Sequence, residues 1–543
     1  MKKILWSIFL TFFVCVIFTA STKAAVITVC SSGCNSQTVQ GGINLASNWD
    51  EVRIVQAGDY NESLNISKTI ILTSNTTIKP TIFTGGNLAT INITADSVSI
   101  TNLNINFSSS GLFHFPIWAG SATNITIANN DISALSSPTI SAKALIYFLQ
   151  TNSSLIANNS IISLIGNTIV NEGIYLKSSS NNIIQSNNIS MNGKINYGIT
   201  LLSSNNNSVV SNIVASNFAG TAINLQNSSY NSIASNKIKP DFEGNWSNTG
   251  VFLFVNSTNN NIILNDIRPN GENYSYGIYV ATSPIFSISC SNNISSNQII
   301  TNGSFANYGI YIICDKNKIV SNNISIMSAT VTNPPNHNFG IYLINASNND
   351  VESNMISTDD APSNYGVALA SSLSNVFLAN GILTINNQSY GLYLENSTDN
   401  YFYDSMINAT NSNDIFLNGI LPGNDFVVNS TFNESDIAFN DPNVPTKLFV
   451  QYYLDVLVKD NNSVPISLAR VQVNDISSVP DSENPTASFI QLTNSSGYIP
   501  KQILTEFMAN ATYASPYYLY FANYTIVIIH PSFLQYSNQF NLT

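Results

Sequence analysis

Asn292-Asn-Ile-Ser-Ser-Asn-Gln-Ile299 is followed by Gly309-Ile-Tyr-Ile312, and then by Asn317-Lys-Ile-Val-Ser-Asn-Asn-Ile324 and Gly340-Ile-Tyr-Leu343. Two phrases alternate in a fixed order. Working outward, the Gly-Ile-Tyr-Leu phrase recurs at Gly173, Gly198, Gly250, Gly277, Gly309, Gly340, Gly366 and Gly391. The second asparagine of the Asn-x-Ile-x-x-Asn-x-Ile phrase falls at Asn158, Asn187, Asn212, Asn236, Asn265, Asn297, Asn322, Asn354, Asn380 and Asn429. Apolar and polar residues alternate over four or five positions before a polar corner intervenes, which is the period of a strand. Ile, Val and Tyr suit strands, and no 3.6-residue apolar period is sustained. The leucine spacing of leucine-rich repeats is absent, and a propeller blade needs about 40 residues. A unit of about 25 residues with three short strands matches one coil of a solenoid.

The fold class is therefore all-β: a right-handed parallel β-helix, the hand following the general rule for parallel crossovers. Stacked asparagines would form amide ladders and tolerate left-handed corners. Over residues 25–440 such coils, spaced by about 4.8 Å, predict a rod roughly 70–80 Å long. Its open end needs cover, and Thr38-Val-Gln-Gly-Gly-Ile-Asn-Leu-Ala46 reads as an amphipathic capping helix.

Composition narrows the function. Charged residues are 9% of 543, against about 25% in ordinary soluble proteins. Asn, Ser and Thr take their place, while the apolar share of 44% is ordinary and argues against disorder. A net charge of −12 argues against a nucleic-acid partner. Residues 1–24 read as a secretory leader: Lys2 and Lys3, an apolar run from Ile4 to Phe18, and cleavage before Ala25. No transmembrane segment is expected in the mature chain. Cys30 with Cys34 and Cys290 with Cys314 are expected to pair as disulfides outside the cell. The first pair could instead bind a metal, but no His or third Cys lies near it. Asn-x-Ser/Thr sequons such as Asn61, Asn188, Asn323 and Asn523 are potential glycosylation sites.

The segment Thr28-Val-Cys-Ser-Ser-Gly-Cys34, Thr38-Val-Gln40, Val52-Arg-Ile-Val55 and Ala57-Gly-Asp-Tyr-Asn-Glu62 resembles the entry of secreted right-handed β-helix proteins. The repeats resemble those of the periplasmic copper-binding (NosD-like) and pectate-lyase-like families. The resemblance implies a fold and leaves activity open, since one fold hosts many functions. Residues 441–446 read as a linker. Residues 447–543 resemble carboxypeptidase-regulatory-like, transthyretin-type β-sandwich modules.

The family name invites a copper site, which needs His, Met or Cys ligands. The three histidines, His114, His337 and His530, are far apart, and no cofactor is expected. A pectate-lyase chemistry needs clustered carboxylates for Ca²⁺ and a basic residue to take the proton α to the uronate carboxyl. Ca²⁺ enters only under that reading. Asp359-Asp360 reads as a solvated turn. Lys239, Asp241 and Glu243 occupy the same place in one coil as Arg268 and Glu272 in the next, with Trp246, Tyr274 and Tyr276 nearby. They are the candidate catalytic or acidic-sugar set, or else a salt-bridged pair of surface loops. In the Gly-Ile-Tyr-Leu phrase the residue between the two inward aliphatics should face out. That position holds Tyr175, Phe252, Tyr279, Tyr311, Tyr342 and Tyr393, with Thr200 and Ala368 as interruptions. Such a row could bind sugars, or its rings could simply stack on one another. The leading expectation is an exported, non-catalytic cell-surface protein with a structural, adhesive or glycan-binding role. The partner would then be a polysaccharide or surface glycan. The alternative is a lyase-type enzyme cleaving a uronate-containing polysaccharide.

Overall fold

The computed structural model describes residues 24–542 apart from 85–88, 108–111, 135–140, 143, 164–170, 193–195, 218–219, 242–246, 272, 283–288, 329–336, 360–362, 441–445 and 513–514. The leader reading lies outside these residues except at its last position, as does nearly all of the linker reading. The chain winds into a right-handed parallel β-solenoid of about 14 turns. Each full turn gives one strand to each of three sheets, as in Ser208–Val210, Ile213–Asn217 and Gly220–Gln226. The third of these faces carries the longest strands. Ladder positions in successive turns are 24 to 32 residues apart. At about 4.8 Å per turn the rod is roughly 67 Å long, shorter than a uniform 25-residue coil predicts because the longer coils add residues without adding rise.

Two amide ladders hold the corners. Asn236 donates to Asn265 Oδ1 from its backbone nitrogen (2.9 Å) and from Nδ2 (3.0 Å), and Asn265 makes the same pair of bonds to Asn297 (both 3.0 Å). This ladder runs from Asn130 to Asn380 and continues through Ser405 and Ser430. A second ladder runs from Ser154 through Asn182, Asn207, Asn231 and Asn260 to Asn400 and ends on Asp425. The rungs are buried, and each internal hydrogen bond contributes about 1 kcal/mol net. The left-handed corner residue is the one before the ladder asparagine: Ser186, Ser211, Ser235 and Leu264 have φ of 54, 56, 55 and 57°. Two positions in the repeat reading are thereby shifted by one. Asn158 and Asn429 sit at the corner (φ 55 and 48°), while Asn159 and Ser430 take the ladder places.

The glycine of the Gly-Ile-Tyr-Leu phrase sits inside the long strand of the third sheet, where successive coils pack closely. A β-carbon on Gly309 would lie 2.4 Å from Ile324 Cγ2 and 2.5 Å from the Gly340 carbonyl oxygen. Stacked Ile, Val and Leu form one continuous core inside the coils. Both expected disulfides, Cys30–Cys34 and Cys290–Cys314, are formed. The second is buried in that core.

The ends are covered differently. Val39–Leu45 is the expected helix, with the Thr38 side chain accepting from Gly41 N at 3.0 Å. Glu62 closes the remaining orphan donors, its two carboxylate oxygens accepting from Val39 N and Gln40 N at 2.8 Å each, where a negative charge also suits the helix dipole. At the far end Thr446–Leu454 pairs in parallel with Gly423–Val428 and antiparallel with Gln502–Thr512. Leu448, Val450, Phe507 and Ala509 from these strands join the solenoid core. An antiparallel sheet of Ser488–Leu492, Arg470–Asp475, Asn523–Ile529 and Tyr536–Asn541 packs on this extension through Val473, Leu504 and Tyr524. The C-terminal region therefore continues the hydrogen bonding of the first face. Among the described residues no helix is long and apolar enough to cross a membrane.

Candidate functional site

The long-strand face carries two outward rows of aromatic rings. The expected row is in register: Phe252 opposes Tyr279, Tyr279 opposes Tyr311, and Tyr311 opposes Tyr342. Their ring centroids are 4.9, 4.8 and 5.3 Å apart. A second row lies beside it, formed by Tyr276, Tyr308, Phe339, Tyr365 and Tyr390. Its first three steps are 4.8, 4.9 and 4.8 Å with interplanar angles of 9, 2 and 20°. Where both rows carry a ring they touch, for example Tyr308 to Tyr311 at 5.2 Å and Phe339 to Tyr342 at 4.8 Å. At Ala368, where the first row lacks a ring, Tyr365 reaches Tyr393 at 5.0 Å. Phe416 continues the surface, 4.3 Å from Tyr390.

The second row escapes a strict two-residue period. Counting back from inward Ile278 would place Tyr276 inward as well. Gly277 and Ile278 are both buried because the chain bends at the glycine, so the phase shifts and Tyr276 and Tyr279 both emerge. The available signal was an aromatic residue directly before the phrase glycine, at Tyr276, Tyr308, Phe339, Tyr365 and Tyr390.

Both readings of the row meet in this geometry. The ring faces are occupied by neighbouring rings, and each such pair adds about 0.5–1.5 kcal/mol beyond burial. The tyrosines are half-buried, and the Tyr393 hydroxyl accepts from Asn418 Nδ2 at 2.6 Å. Burial pushes the phenol of Tyr342 up to about 12, and burial likewise raises Tyr276, Tyr279, Tyr308, Tyr311 and Tyr365. At neutral pH the strip is an uncharged comb of hydroxyls that can donate and accept. From Asn248–Phe254 to Ile415–Asn418 it crosses six inter-strand steps, about 29 Å at about 4.8 Å each. Tyr175 belongs to a separate aromatic group with Phe115, Trp118 and Tyr147. Thr200 and Asn224 stand between the two groups in the same row.

The charged candidates are only partly assembled. Lys239 and Asp241 lie exposed on the strand Lys237–Asp241, and the Arg268 backbone nitrogen donates to Ile238 O at 2.8 Å. The two cations thus stand in adjacent coils, as the spacing predicts. Arg268, however, is engaged by Asp266 of its own coil, Nε to Oδ1 at 2.6 Å, a partner absent from the candidate set. Asp241 Oδ1 accepts from Asn270 Nδ2 at 2.9 Å. The exposed ion pair contributes at most about 1 kcal/mol. Glu243, Trp246 and Glu272 lie outside the described residues, as does Asp360. Asp359 Oδ1 accepts from Asn386 Nδ2 at 3.2 Å.

The described residues do not suit a copper ion. None of them form a group of three or more His, Cys, Asp or Glu able to hold a metal, and the four described cysteines are in disulfides. One carboxyl pair went unseen in the sequence because its members come from distant segments. Glu506, buried in the C-terminal hairpin, lies near Glu434 at the end of the solenoid, and burial together with Glu434 pushes its carboxyl up to about 7. Tyr452 Oη donates to Glu434 Oε1 at 3.0 Å.

The family model for periplasmic copper-binding protein (NosD) matches residues 64–278, which is the part of the solenoid holding the Trp118 group and the start of the strip. No curated protein matches the chain. Among solved structures, the Dettilon tailspike protein is similar at 11% identity, covering 94% of this chain and 82% of its own, with a TM-score of 0.38. The mannuronan C-5 epimerase A-module of Azotobacter vinelandii is similar at 12% identity, covering 71% and 91%, with a TM-score of 0.37. The tailspike protein of E. coli bacteriophage HK620 in complex with pentasaccharide is similar at 10% identity, covering 93% and 87%, with a TM-score of 0.34.

Proposed function

We propose that the protein is an exported, non-catalytic solenoid of the cell surface that binds a glycan lengthwise along its long-strand face. The supporting observation is the double aromatic row from Phe252 to Phe416, whose faces are satisfied internally and whose tyrosines supply hydroxyls at most levels, interrupted at Phe252, Phe339 and Phe416. A polyhydroxylated chain can exchange many single hydrogen bonds with such a comb, and the apolar ring edges shield them. The rings themselves are uncharged, which suits retention; Glu395 beside Tyr342, Tyr365 and Tyr393, and His337 at 5.7 Å from Tyr365, are acid–base groups on the same face. Replacing Tyr279, Tyr311 and Tyr342 together by Phe keeps the stacking and removes three hydroxyls. At about 0.5–1.5 kcal/mol per hydrogen bond this predicts a loss of affinity of roughly ten-fold or more with an unchanged melting temperature. Equal binding by the triple variant and the parent would refute the reading.

The second reading, a uronate-cleaving enzyme, is supported by Lys239 and Arg268 standing in adjacent coils. It requires Lys239→Ala and Arg268→Ala to abolish release of unsaturated products from polygalacturonate in the presence of Ca²⁺.

A further inference from the structure

Between the capping helix and the start of the aromatic row, the long-strand face holds a cavity of about 400 Å³ lined by Ser63, Leu64, Asn65, Ala89, Asn92, Phe115 and Trp118. Every one of these side chains is uncharged. Its position in the register is defined: Asn65 opposes Asn92, and Asn92 opposes Trp118. Trp118 is laid down against its own strand because Gly120 offers no side chain. A β-carbon there would fall 2.1 Å from the indole Cη2. Tyr147 backs the group from the next coil, stacked on Tyr175 at 5.0 Å and 8°. Phe115 stands 4.9 Å from Tyr147.

The polar side of the cavity is oriented. Gln40 from the capping helix grips the Asn65 backbone, accepting from its nitrogen at 2.7 Å and donating Nε2 to its carbonyl at 3.3 Å. Asn65 Oδ1 then accepts from Asn92 Nδ2 at 3.0 Å. That bond fixes the Asn92 amide and leaves its Oδ1 shielded and without a partner. Asn65 itself is exposed where it lines the cavity, and the same bond orients its amide.

We infer that this cavity is a second glycan subsite, specific for a neutral pyranose: the C–H face of the ring packs on Trp118 and Phe115, and the exposed, oriented Asn65 amide bonds one ring hydroxyl. An aromatic wall and a single oriented amide are the usual division of labour in a small-ligand site. The class is neutral because the described lining offers a uronate carboxylate no cation. The inference extends the glycan reading but does not share residues with the strip.

The test uses the mature chain and saturation-transfer NMR with methyl glucoside, methyl galactoside, methyl mannoside and galacturonic acid as probes. Transfer to at least one neutral pyranoside is expected, reduced at least five-fold in Trp118→Ala and in Asn92→Ala. Because Trp118 contributes packing, Asn92→Ala supplies an independent arm, and circular dichroism verifies that each variant is folded. No transfer to any neutral probe would overturn the inference, and so would transfer that survives both cavity substitutions or is strongest for galacturonic acid. Failure of the strip reading would appear separately, as polysaccharide binding indifferent to the triple variant.

Discussion

The second amide ladder ends on a carboxylate, and that makes its last rung sensitive to pH. Asp425 is fully buried. Its Oδ1 accepts from Asn400 N at 3.0 Å and from Asn400 Nδ2 at 2.9 Å, while Oδ2 has no partner among the described residues. At the rungs before it the corresponding atom is an amide nitrogen donating to a carbonyl, Asn375 Nδ2 to Ala346 O and Asn400 Nδ2 to Ser372 O. A protonated carboxyl can imitate that donor and an ionised one cannot. Burial pushes the Asp425 carboxyl up to about 7 from the ordinary 3.8, against the pull of the Asn400 donors. A folded-state value above the unfolded one means stability that is complete below about pH 4 and declines as pH rises through about 7. Three units correspond to about 4 kcal/mol between pH 4 and pH 8. Asp425→Asn restores the amide and removes the titration. The variant and the parent should unfold together at pH 4, and at pH 8 the variant should be the more stable by up to about 4 kcal/mol. Parallel urea titrations followed by circular dichroism would read this. A stability difference that does not change with pH would refute the reasoning, as would one that favours the parent at pH 8.

Three further outcomes follow from the same coordinates. Asn265→Ala removes an acceptor, leaving the buried Asn236 nitrogen without a partner and Asn236 Nδ2 with Val209 O alone, at about 1–3 kcal/mol for the orphaned donor, so the urea midpoint should fall markedly with no change in the strip. Gly309→Val forces a side chain against the Gly340 carbonyl and Ile324 and should cost about 3 kcal/mol or more, seen as a lowered melting temperature or loss of the folded spectrum. Glu506→Gln removes a carboxyl that burial and Glu434 push up to about 7, so the decline in melting temperature from pH 5 to pH 8 should be smaller than in the parent. An undiminished decline would show that the pair does not carry it.

Much of the fold is legible because its signals are local and repeated. A phrase such as Asn317-Lys-Ile-Val-Ser-Asn322 sets one inward aliphatic, Ile319, and two ladder amides within one coil, and stacking only multiplies them. The capping helix is legible for the same reason, through Thr38 and the buried pair Val39 and Ile43. The corners are less so. Serine, leucine or alanine occupies the left-handed place before the ladder asparagine, as at Ser235, Leu264 and Ala379, because backbone bonding across coils enforces a conformation the residue alone would avoid. The second aromatic row is hidden by the phase shift at the glycine, and the Trp118 cavity by its assembly from three coils and the capping helix. The Glu434–Glu506 pair joins parts of the chain that no repeat relates.

The central claim is that the long-strand face holds a glycan without cutting it, and a polysaccharide panel that includes polygalacturonate, with and without Ca²⁺, tests this most directly. Binding, reducing ends and unsaturated-product absorbance are followed together for the parent and the triple Tyr→Phe variant. The account predicts retention of at least one polysaccharide at unchanged chain length, weakened roughly ten-fold or more in the variant. Depolymerisation that disappears with Lys239→Ala and Arg268→Ala would contradict it, as would the absence of binding across the whole panel.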